Sequence, residues 1–376
     1  MGIVTDMSAT AASAGATRSF GVLPGPAETF DAPLSAFTTL RVGGPAGRMV
    51  TATATDAVID AVSECDGRGE PVLVLSGGSN LLVADAGFDG SVVRIATRGV
   101  HVDDASACGG VTVRAAAGEP WDDVVALTVE RGWIGVEALS GIPGSTGATP
   151  VQNVGAYGQE VAESIATVRT WDRQEGRIRT FAAADCEFGY RTSRFKQERF
   201  RAGPRFVVLE TTFQLRLGDL AAPIRYAELA AALGVPLGTR APLGDVRAAV
   251  LALRRRKGMV LDDDDPDTWS AGSFFTNPVL SEAEAAALPP GAPRWPMPDG
   301  CVKTSAAWLI EHAGFARGHG LPGPAALSTK HTLAVTNRGG ASAADLLRLA
   351  CEVREGVRSA YGILLEPEPV LVGCTL

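Results

Sequence analysis

Two stretches of the sequence place residues that can transfer protons among apolar neighbours. Ser273 lies between Gly272 and two phenylalanines, which predicts a reactive hydroxyl; the alternative is that it caps a turn. Glu366 and Glu368 are two residues apart on a predicted strand, flanked by leucines and valines. An apolar wall favours the protonated form of a carboxyl, which suits proton transfer, although most such glutamates are simply solvated.

A third stretch, FGYRTSRFK at 188–196, places aromatic, cationic and hydroxyl groups within nine residues. Arg191 is either a plain surface cation or a cation in a shaped pocket. Its neighbours Tyr190 and Phe195 favour the pocket, where a fixed cation stabilises developing negative charge.

The glycine-rich stretch GVEALSGIPGSTGATPVQNVGAYG, residues 135–158, is predicted to hold a ligand. Glycine loses more conformational freedom on folding than any other residue, so such a run needs a reason. Six of its 24 residues are glycine, and nearly all the others are uncharged. Backbone N–H groups of such a segment can approach a bulky polar ligand closely. The alternative is a flexible surface loop, but the apolar residues Ile142, Val151 and Val154 favour a rigid one.

A second candidate ligand loop, SGGSNLLV at 76–83, follows a short apolar strand predicted at 71–75. A strand running into Gly-Gly-Ser-Asn presents backbone donors to a phosphate. A simple tight turn explains the same pattern equally well.

Periodicity predicts the elements that position these stretches. An amphipathic helix begins near Trp121, alternating residues predict a strand at 206–217 with one apolar face that includes Leu217, and a long helix begins at Ser342. The acidic, proline-containing segment 261–268 is predicted to be a hinge. Two prolines in the closing segment ILLEPEPVLVG predict an edge strand or a strand end there.

Composition excludes several classes of protein. The 376 residues suffice for two or three domains, and a net charge of −8 without a dominant basic face argues against nucleic-acid binding. Six single cysteines without a CxxC pair and four histidines without HExxH predict a reducing cytosol and no bound metal. We expect no membrane span, because no apolar run approaches 18 residues, and no signal peptide.

Several separated motifs resemble those of the UDP-N-acetylenolpyruvoylglucosamine reductase family, in its longer, first type. They are GGSNLL (77–82), IPGSTGATPVQNVGAYG (142–158), FGYRTSRFK (188–196), AGSFFTNP (271–278) and LEPE (365–368). Their order and spacing match from about residue 37 to residue 373. The resemblance implies an α+β fold, with FAD bound as in PCMH/vanillyl-alcohol-oxidase-type flavoproteins and a C-terminal α+β substrate-binding domain.

The resemblance also implies a division of the chain. We expect a disordered tail at 1–30, an FAD-binding domain at 31–218 (subdomains 31–96 and 97–218), a helical extension at 219–259, a substrate-binding domain at 260–366 and a terminal strand at 367–376.

The implied cofactor is non-covalent FAD, since none of the four histidines falls in the two ligand loops. By this likeness the first loop would wrap the pyrophosphate and the second would line the rest of the cofactor. The residues implied are Ser76, Gly77, Gly78, Ser79, Asn80, Leu81, Pro143, Gly144, Ser145, Gly147, Ala148, Gln152, Asn153, Gly155, Ala156 and Tyr157.

The implied reaction passes a hydride from NADPH, through the flavin, to the enolpyruvyl ether of UDP-N-acetylglucosamine enolpyruvate, giving UDP-N-acetylmuramate for peptidoglycan. Arg191 and Glu368 match the positions that stabilise the enolate-like charge, and Ser273 matches the proton donor. The positions that match substrate contacts are Tyr190, Tyr226, Lys257 and Asn277. His331 stands where relatives carry glutamine, and no role is assigned to it.

No Rossmann GxGxxG follows a strand, which fits a family in which NADPH and the UDP-sugar are thought to use one cleft in turn. We expect a cytoplasmic monomer. Two alternatives stay open: another FAD-dependent oxidoreductase of the superfamily, acting on a sugar or hydroxy acid, and a non-catalytic protein that binds flavin or a nucleotide-sugar. Joint presence of Ser273, Arg191 and Glu368 disfavours the second.

Overall fold

The computed structural model describes residues 27–106, 109–297 and 299–376. The tail predicted at 1–30 therefore lies mostly outside the described residues. Its last four residues do not fit that prediction, because Ala27–Pro33 is a strand paired antiparallel with Pro45–Ala52. Backbone pairing along an existing edge orders this segment although its side chains are mostly exposed.

The first sheet has four strands, and a helix, Thr55–Arg68, packs on it. The last three strands in spatial order are mutually parallel. In spatial order the strands are Ala27–Pro33, Pro45–Ala52, Phe88–Ile95 and Val72–Leu75. The predicted apolar strand at 71–75 is thus confirmed as an edge of this sheet, and the first ligand loop leaves from its carboxyl end.

The second sheet is antiparallel and is built around the long strand Phe206–Leu217. This strand has the predicted bounds, but Leu217, expected on the inner face, is 41% exposed at its end. The strand Val100–Ser106 was not predicted, because it is a polar, mostly exposed edge without alternation. In spatial order the strands are Arg177–Ala182, Ile165–Asp172, Phe206–Leu217, Gly110–Ala116 and Val100–Ser106, and Trp133–Ile134 pairs with the end of the long strand.

One hydrophobic core joins the two sheets with the helix Trp121–Glu130. A separate apolar cluster holds the helices Ala227–Leu233 and Leu243–Arg256 together. Smaller elements complete this part of the chain. They are the strands Leu81–Val83, Gly155–Ala156, Gln159–Glu160, Arg199–Phe200 and Gly203–Pro204, the helix Arg194–Gln197, and the 3-10 turns Leu34–Phe37, Glu137–Leu139, Thr146–Ala148, Val161–Glu163 and Ala183–Cys186.

The C-terminal part packs around the helix Ala343–Tyr361. Ser342 caps it in a capping box with Asp345, as its predicted start requires. The other elements there are the helices Glu282–Ala286 and Ala306–His312, the 3-10 turn Pro266–Thr268 and the strands Val279–Leu280, Trp295–Pro296, Val302–Lys303, Ala325–Leu327 and Val335–Asn337.

The last strand, Val370–Val372, returns to the first part of the chain and pairs in parallel with Leu81–Val83. This two-stranded pairing confirms that the proline-flanked segment is not a central strand. It also brings the residues just before it next to the first ligand loop. Among the described residues, no helix has the length and apolarity needed to cross a bilayer.

Candidate active site

One cavity of about 1150 Å³ is lined by both glycine-rich loops, the 188–196 motif and the 271–277 segment. Nearly every residue expected to bind cofactor or substrate lines it. Asn153 does not. Its amide is buried, donating to Glu160 Oε2 (2.7 Å) and to Gly189 O (3.1 Å), so it holds the loops together instead of facing the cavity.

The second ligand loop is rigid. Ile142, Val151 and Val154 pack against the main core, as a rigid loop requires. Its backbone is tied down where the helix at 121 begins: the Trp121 N–H donates to Gly144 O at 3.0 Å, and the Thr146 N–H donates to the carbonyl of residue 119 at 2.8 Å. These contacts favour the ligand-binding interpretation over a flexible surface loop.

The two loops approach so closely that glycine is required at the contact. A Cβ on Gly77 would lie 2.5 Å from Gly144 Cα, and Gly144 itself has φ +118°. The contact is reinforced by hydrogen bonds between Ser76 Oγ and Ser145 Oγ, and from Asn80 Nδ2 to the side chain of residue 152 at 2.7 Å. The loops thus form one cradle, which a side chain at either glycine would fill.

This cradle fits a diphosphate. In the described part of the chain, the N–H groups of Gly77, Gly78 and Ser79 donate to no protein acceptor. Uncommitted N–H groups on a glycine turn form a concave anion site. A cavity of this size is also at the upper end of what single ligands occupy, so it accommodates a large cofactor.

Arg191 is held in a tight turn at the cavity wall. Its φ is +55°, a left-handed conformation that is uncommon for arginine. Gly189 and Thr192 hold the turn through reciprocal backbone hydrogen bonds of 3.1 and 3.3 Å. The guanidinium forms an ion pair with Glu368, Nε to Oε1 at 3.0 Å, and donates through Nη2 to Gly155 O at 3.1 Å. The charge is therefore fixed in place before any ligand binds.

Glu368 is the more buried partner, with a side chain 13% exposed. Burial raises the pKa of its carboxyl above the ordinary value, while the Arg191 and Lys196 cations oppose that rise. Lys196 donates to Arg191 O at 3.0 Å, and burial lowers its pKa. For both groups burial disfavours the charged form. Glu366, by contrast, is exposed, because the prolines beside these glutamates interrupt a regular strand.

Ser273 is placed by its buried neighbours. Phe274 and Phe275 are fully enclosed, and the Phe274 carbonyl accepts the Glu368 N–H at 2.8 Å. This backbone contact sets the serine and the carboxylate on adjoining segments of one wall. Among the described residues, the Ser273 hydroxyl has no hydrogen-bond partner, so the geometry does not support the alternative that it caps a turn.

Tyr190 and Asn277 meet across the two parts of the chain. Asn277 lies beside Tyr190, and its Oδ1 accepts the Ala306 N–H at 3.0 Å. Burial raises the pKa of Tyr190, so its hydroxyl stays protonated and able to donate. The Lys303 ammonium lies 4.7 Å from the centre of the tyrosine ring. This wall combines a donor, an amide and a cation, which suits an anionic ligand.

A second polar wall carries Lys257 and Tyr226. Lys257 pairs with Glu228 at 2.6 Å, and Tyr226 packs edge-on against Tyr157 with ring centres 5.5 Å apart. Tyr226 is 43% exposed and directly precedes the helix Ala227–Leu233. It therefore stands at the mouth of the cavity.

Two ionisable residues that the sequence left unassigned also line the cavity. Burial lowers the pKa of Arg254 to about 10 and that of His331 to about 4. Arg254 follows Leu253 and lies four residues after Val250, both buried, so helical spacing alone places it on the inner face. His331 had no such signal, because it follows an irregular loop.

Two family models match the chain. One is described as an FAD binding domain and covers residues 46–182; the other is the C-terminal domain of UDP-N-acetylenolpyruvoylglucosamine reductase and covers residues 264–372. The first contains both ligand loops, and the second contains Ser273 and Glu368.

Similar proteins were found along nearly the whole chain. A UDP-N-acetylenolpyruvoylglucosamine reductase of Cutibacterium acnes is 57% identical over 92% of this chain and 90% of its own length. One from Streptomyces coelicolor is 55% identical over 93% of this chain and 91% of its own. The crystal structure of such a reductase from Thermus caldophilus shares the fold, with a TM-score of 0.59 over 92% of this chain and 98% of that one, at 24% identity.

Proposed function

The chain belongs to the UDP-N-acetylenolpyruvoylglucosamine reductase family, and on this basis we propose how its cavity reduces the enolpyruvyl ether of UDP-N-acetylglucosamine to UDP-N-acetylmuramate. It is an FAD-dependent oxidoreductase of peptidoglycan precursor synthesis. The expected α+β fold, with an FAD-binding domain and a C-terminal domain of this family, is thereby confirmed.

The observation that carries the proposal is the arrangement of Arg191, Glu368 and Ser273 in one cavity beside the glycine cradle. FAD, when bound in the cradle, supplies hydride transfer between NADPH and the substrate. What the protein must add is stabilisation of negative charge on the substrate and a proton for the second carbon.

Arg191 is the group we assign to charge stabilisation. As the double bond is reduced, negative charge spreads from the carbon bearing the ether oxygen into the neighbouring carboxylate. A guanidinium fixed by its ion pair with Glu368 and its bond to Gly155 O needs no reorganisation as that charge develops. Glu368 in turn sets the direction of the guanidinium through this ion pair.

Ser273 is the group we assign to proton delivery. A serine hydroxyl is a weak acid, but an enolate carbon is strongly basic and accepts its proton when the two are held together. The enclosed Phe274 and Phe275 fix the backbone on one side, and no protein acceptor among the described residues competes for the hydroxyl.

The anionic half of the UDP-sugar is assigned to the polar walls. Lys257 and Asn277 are the proposed contacts to the diphosphate, with Tyr226 closing over them from the cavity mouth and Tyr190 donating its hydroxyl. NADPH carries similar anionic groups, so we propose that it uses the same walls in turn. We also propose that the protein acts in the cytoplasm as a monomer, binding neither nucleic acid nor membrane.

Purified protein mixed with NADPH under anaerobic conditions tests this function. We expect the yellow flavin absorbance to bleach and then to return when UDP-N-acetylglucosamine enolpyruvate is added. Return with a different sugar or hydroxy acid, but not with this compound, would indicate another reaction of the superfamily. Failure to bleach would indicate a binding protein without catalysis. Denaturation should release all the flavin from the polypeptide.

A further inference from the structure

Asp267 carries a buried carboxylate outside the residues assigned above, and it joins two walls of the cavity. It accepts hydrogen bonds from the Thr329 N–H (2.8 Å), the Thr329 hydroxyl (2.6 Å) and the Arg338 guanidinium (2.8 Å). Its side chain is only 7% exposed. Burial alone would raise its pKa, but the hydrogen bonds from Thr329 and Ser328 and the Arg338 cation outweigh burial and hold the pKa below the ordinary value.

The donors on one side lead directly into the cavity lining. Thr329 is two residues before His331, and the His331 N–H is held by Ser328 Oγ at 3.3 Å. Lys330, between them, pairs with Asp265 at 2.5 Å, so the turn at 328–331 is tied to the 265–267 segment twice. His331 itself lines the cavity.

On its other side, the Asp267 backbone packs against the residue that follows Lys257. Gly258 has φ +66°, and a Cβ there would come within 2.9 Å of Asp267 O. Lys257 therefore leaves its helix against the same short segment that holds the turn at 328–331. Asp267 thus contacts Gly258, which follows Lys257, and Thr329, which lies two residues before His331.

The segment around Asp267 is also anchored to the first part of the chain. Arg41 pairs with Asp263 and lies over the Trp269 ring at 4.0 Å, and the Thr39 hydroxyl donates to Ser270 O at 2.7 Å. The segment 261–268, predicted to be a hinge, is thus bonded to the first part of the chain near both of its ends; we call it the strut. The Asp267 carboxylate in turn bonds this segment to Thr329.

We propose that Asp267 is a positioning residue that fixes the spacing of Lys257 and His331 in the wall that receives the anionic half of the substrate. The inference rests on the proposed function, since that function assigns Lys257 to the UDP diphosphate. Asp267 touches neither substrate nor cofactor, and it acts through Thr329 and Gly258.

Asp267→Asn tests the role with little change in shape. An amide offers one acceptor where the carboxylate offered two, so at least one of three donors loses its partner and Arg338 loses its counter-charge. In calorimetric titrations of FAD-loaded protein, we expect about tenfold weaker binding of UDP-N-acetylmuramate, the size of one weakened hydrogen bond between protein and ligand. KM for the enolpyruvyl substrate should rise in parallel, while kcat should stay within about twofold, because Ser273 and Arg191 are held by other contacts.

Asp264→Asn is the matched control. It removes the same charge from the same acidic run, but its side chain is exposed and has no protein partner among the described residues. Its binding and KM should equal those of wild type. A purely structural role for Asp267 predicts less FAD-loaded protein but normal binding by each loaded molecule.

Thr329→Val is a second test of the same role, for the case that Asp267→Asn folds poorly. It removes one hydroxyl donor and leaves the carboxylate paired with Arg338, and binding should weaken by about threefold. Normal binding in both variants, or in Thr329→Val alone if the other does not fold, overturns the positioning role. Lack of UDP-N-acetylmuramate binding by the wild-type holoenzyme would instead refute the proposed function, so the two failures are distinguishable.

Discussion

Replacement of Ser273 by alanine separates a proton donor from a structural serine. Only the half-reaction that consumes the enolpyruvyl ether requires a proton on carbon, so only that step should slow. Reduction of the flavin by NADPH involves no such proton and should keep its wild-type rate.

The expected size follows from the environment of the hydroxyl. General acid catalysis contributes about 10²–10⁴-fold, which corresponds to about 2.7–5.4 kcal/mol of barrier. We expect at least this loss, because FAD and substrate, when bound, fill the cavity that Ser273 lines and keep water from its place. The stability change should be within about 0.5 kcal/mol, because the hydroxyl has no hydrogen bond to the described protein.

Stopped-flow absorbance of the flavin measures the two steps separately. Ser281→Ala is the control, because Ser281 caps the helix Glu282–Ala286 and its loss should cost about 1 kcal/mol of stability without slowing either step. Ser273→Cys should recover part of the rate, since a thiol also delivers a proton. Equal slowing of both steps in Ser273→Ala would refute the assignment.

Three further outcomes are expected. Gly77→Ala should purify with little FAD, because its Cβ would meet Gly144 Cα, whereas Gly67→Ala, with open space around it, should retain FAD. The absorbance at 450 nm per mole of protein measures the bound flavin. A Gly77→Ala variant with a full complement of FAD would contradict the cradle. His331 has a folded pKa near 4 against an ordinary 6.5, so stability should fall as the pH drops from about 6.5 to 4, by about 3 kcal/mol in total. Chemical denaturation of His331→Gln should show a flatter profile in that range, and an unchanged slope would count against this burial effect. Initial rates with both substrates varied should give the parallel lines of a ping-pong mechanism, since one cleft serves both ligands; intersecting lines would exclude the shared cleft.

Local sequence was sufficient to predict the ligand loops and most long elements. A glycine turn depends on the φ values of its own residues, so the spacing around Gly78 (φ +58°) and Gly144 (φ +118°) is informative without tertiary contacts. The same holds for the helix capped by Ser342, whose cap and apolar spacing lie within a single segment.

Segments whose order depends on pairing were predicted poorly. Ala27–Pro33 and Val100–Ser106 carry mostly exposed side chains, so their sequences lack the alternation that marks a half-buried strand. Both are ordered by backbone hydrogen bonds to the strand that follows them in the chain, and such bonds leave no pattern in the side chains.

The sequence by itself determined which residue types are present for the chemistry: a serine among phenylalanines, an arginine among aromatics, and glutamates in an apolar stretch. Only the tertiary structure decided that Glu368, and not Glu366, pairs with Arg191, that Asn153 supports the wall, and that the segment around Asp267 is a strut. The physical reason is that burial and charge pairing arise between segments far apart in the chain. Their energies depend on distances that no residue spacing encodes.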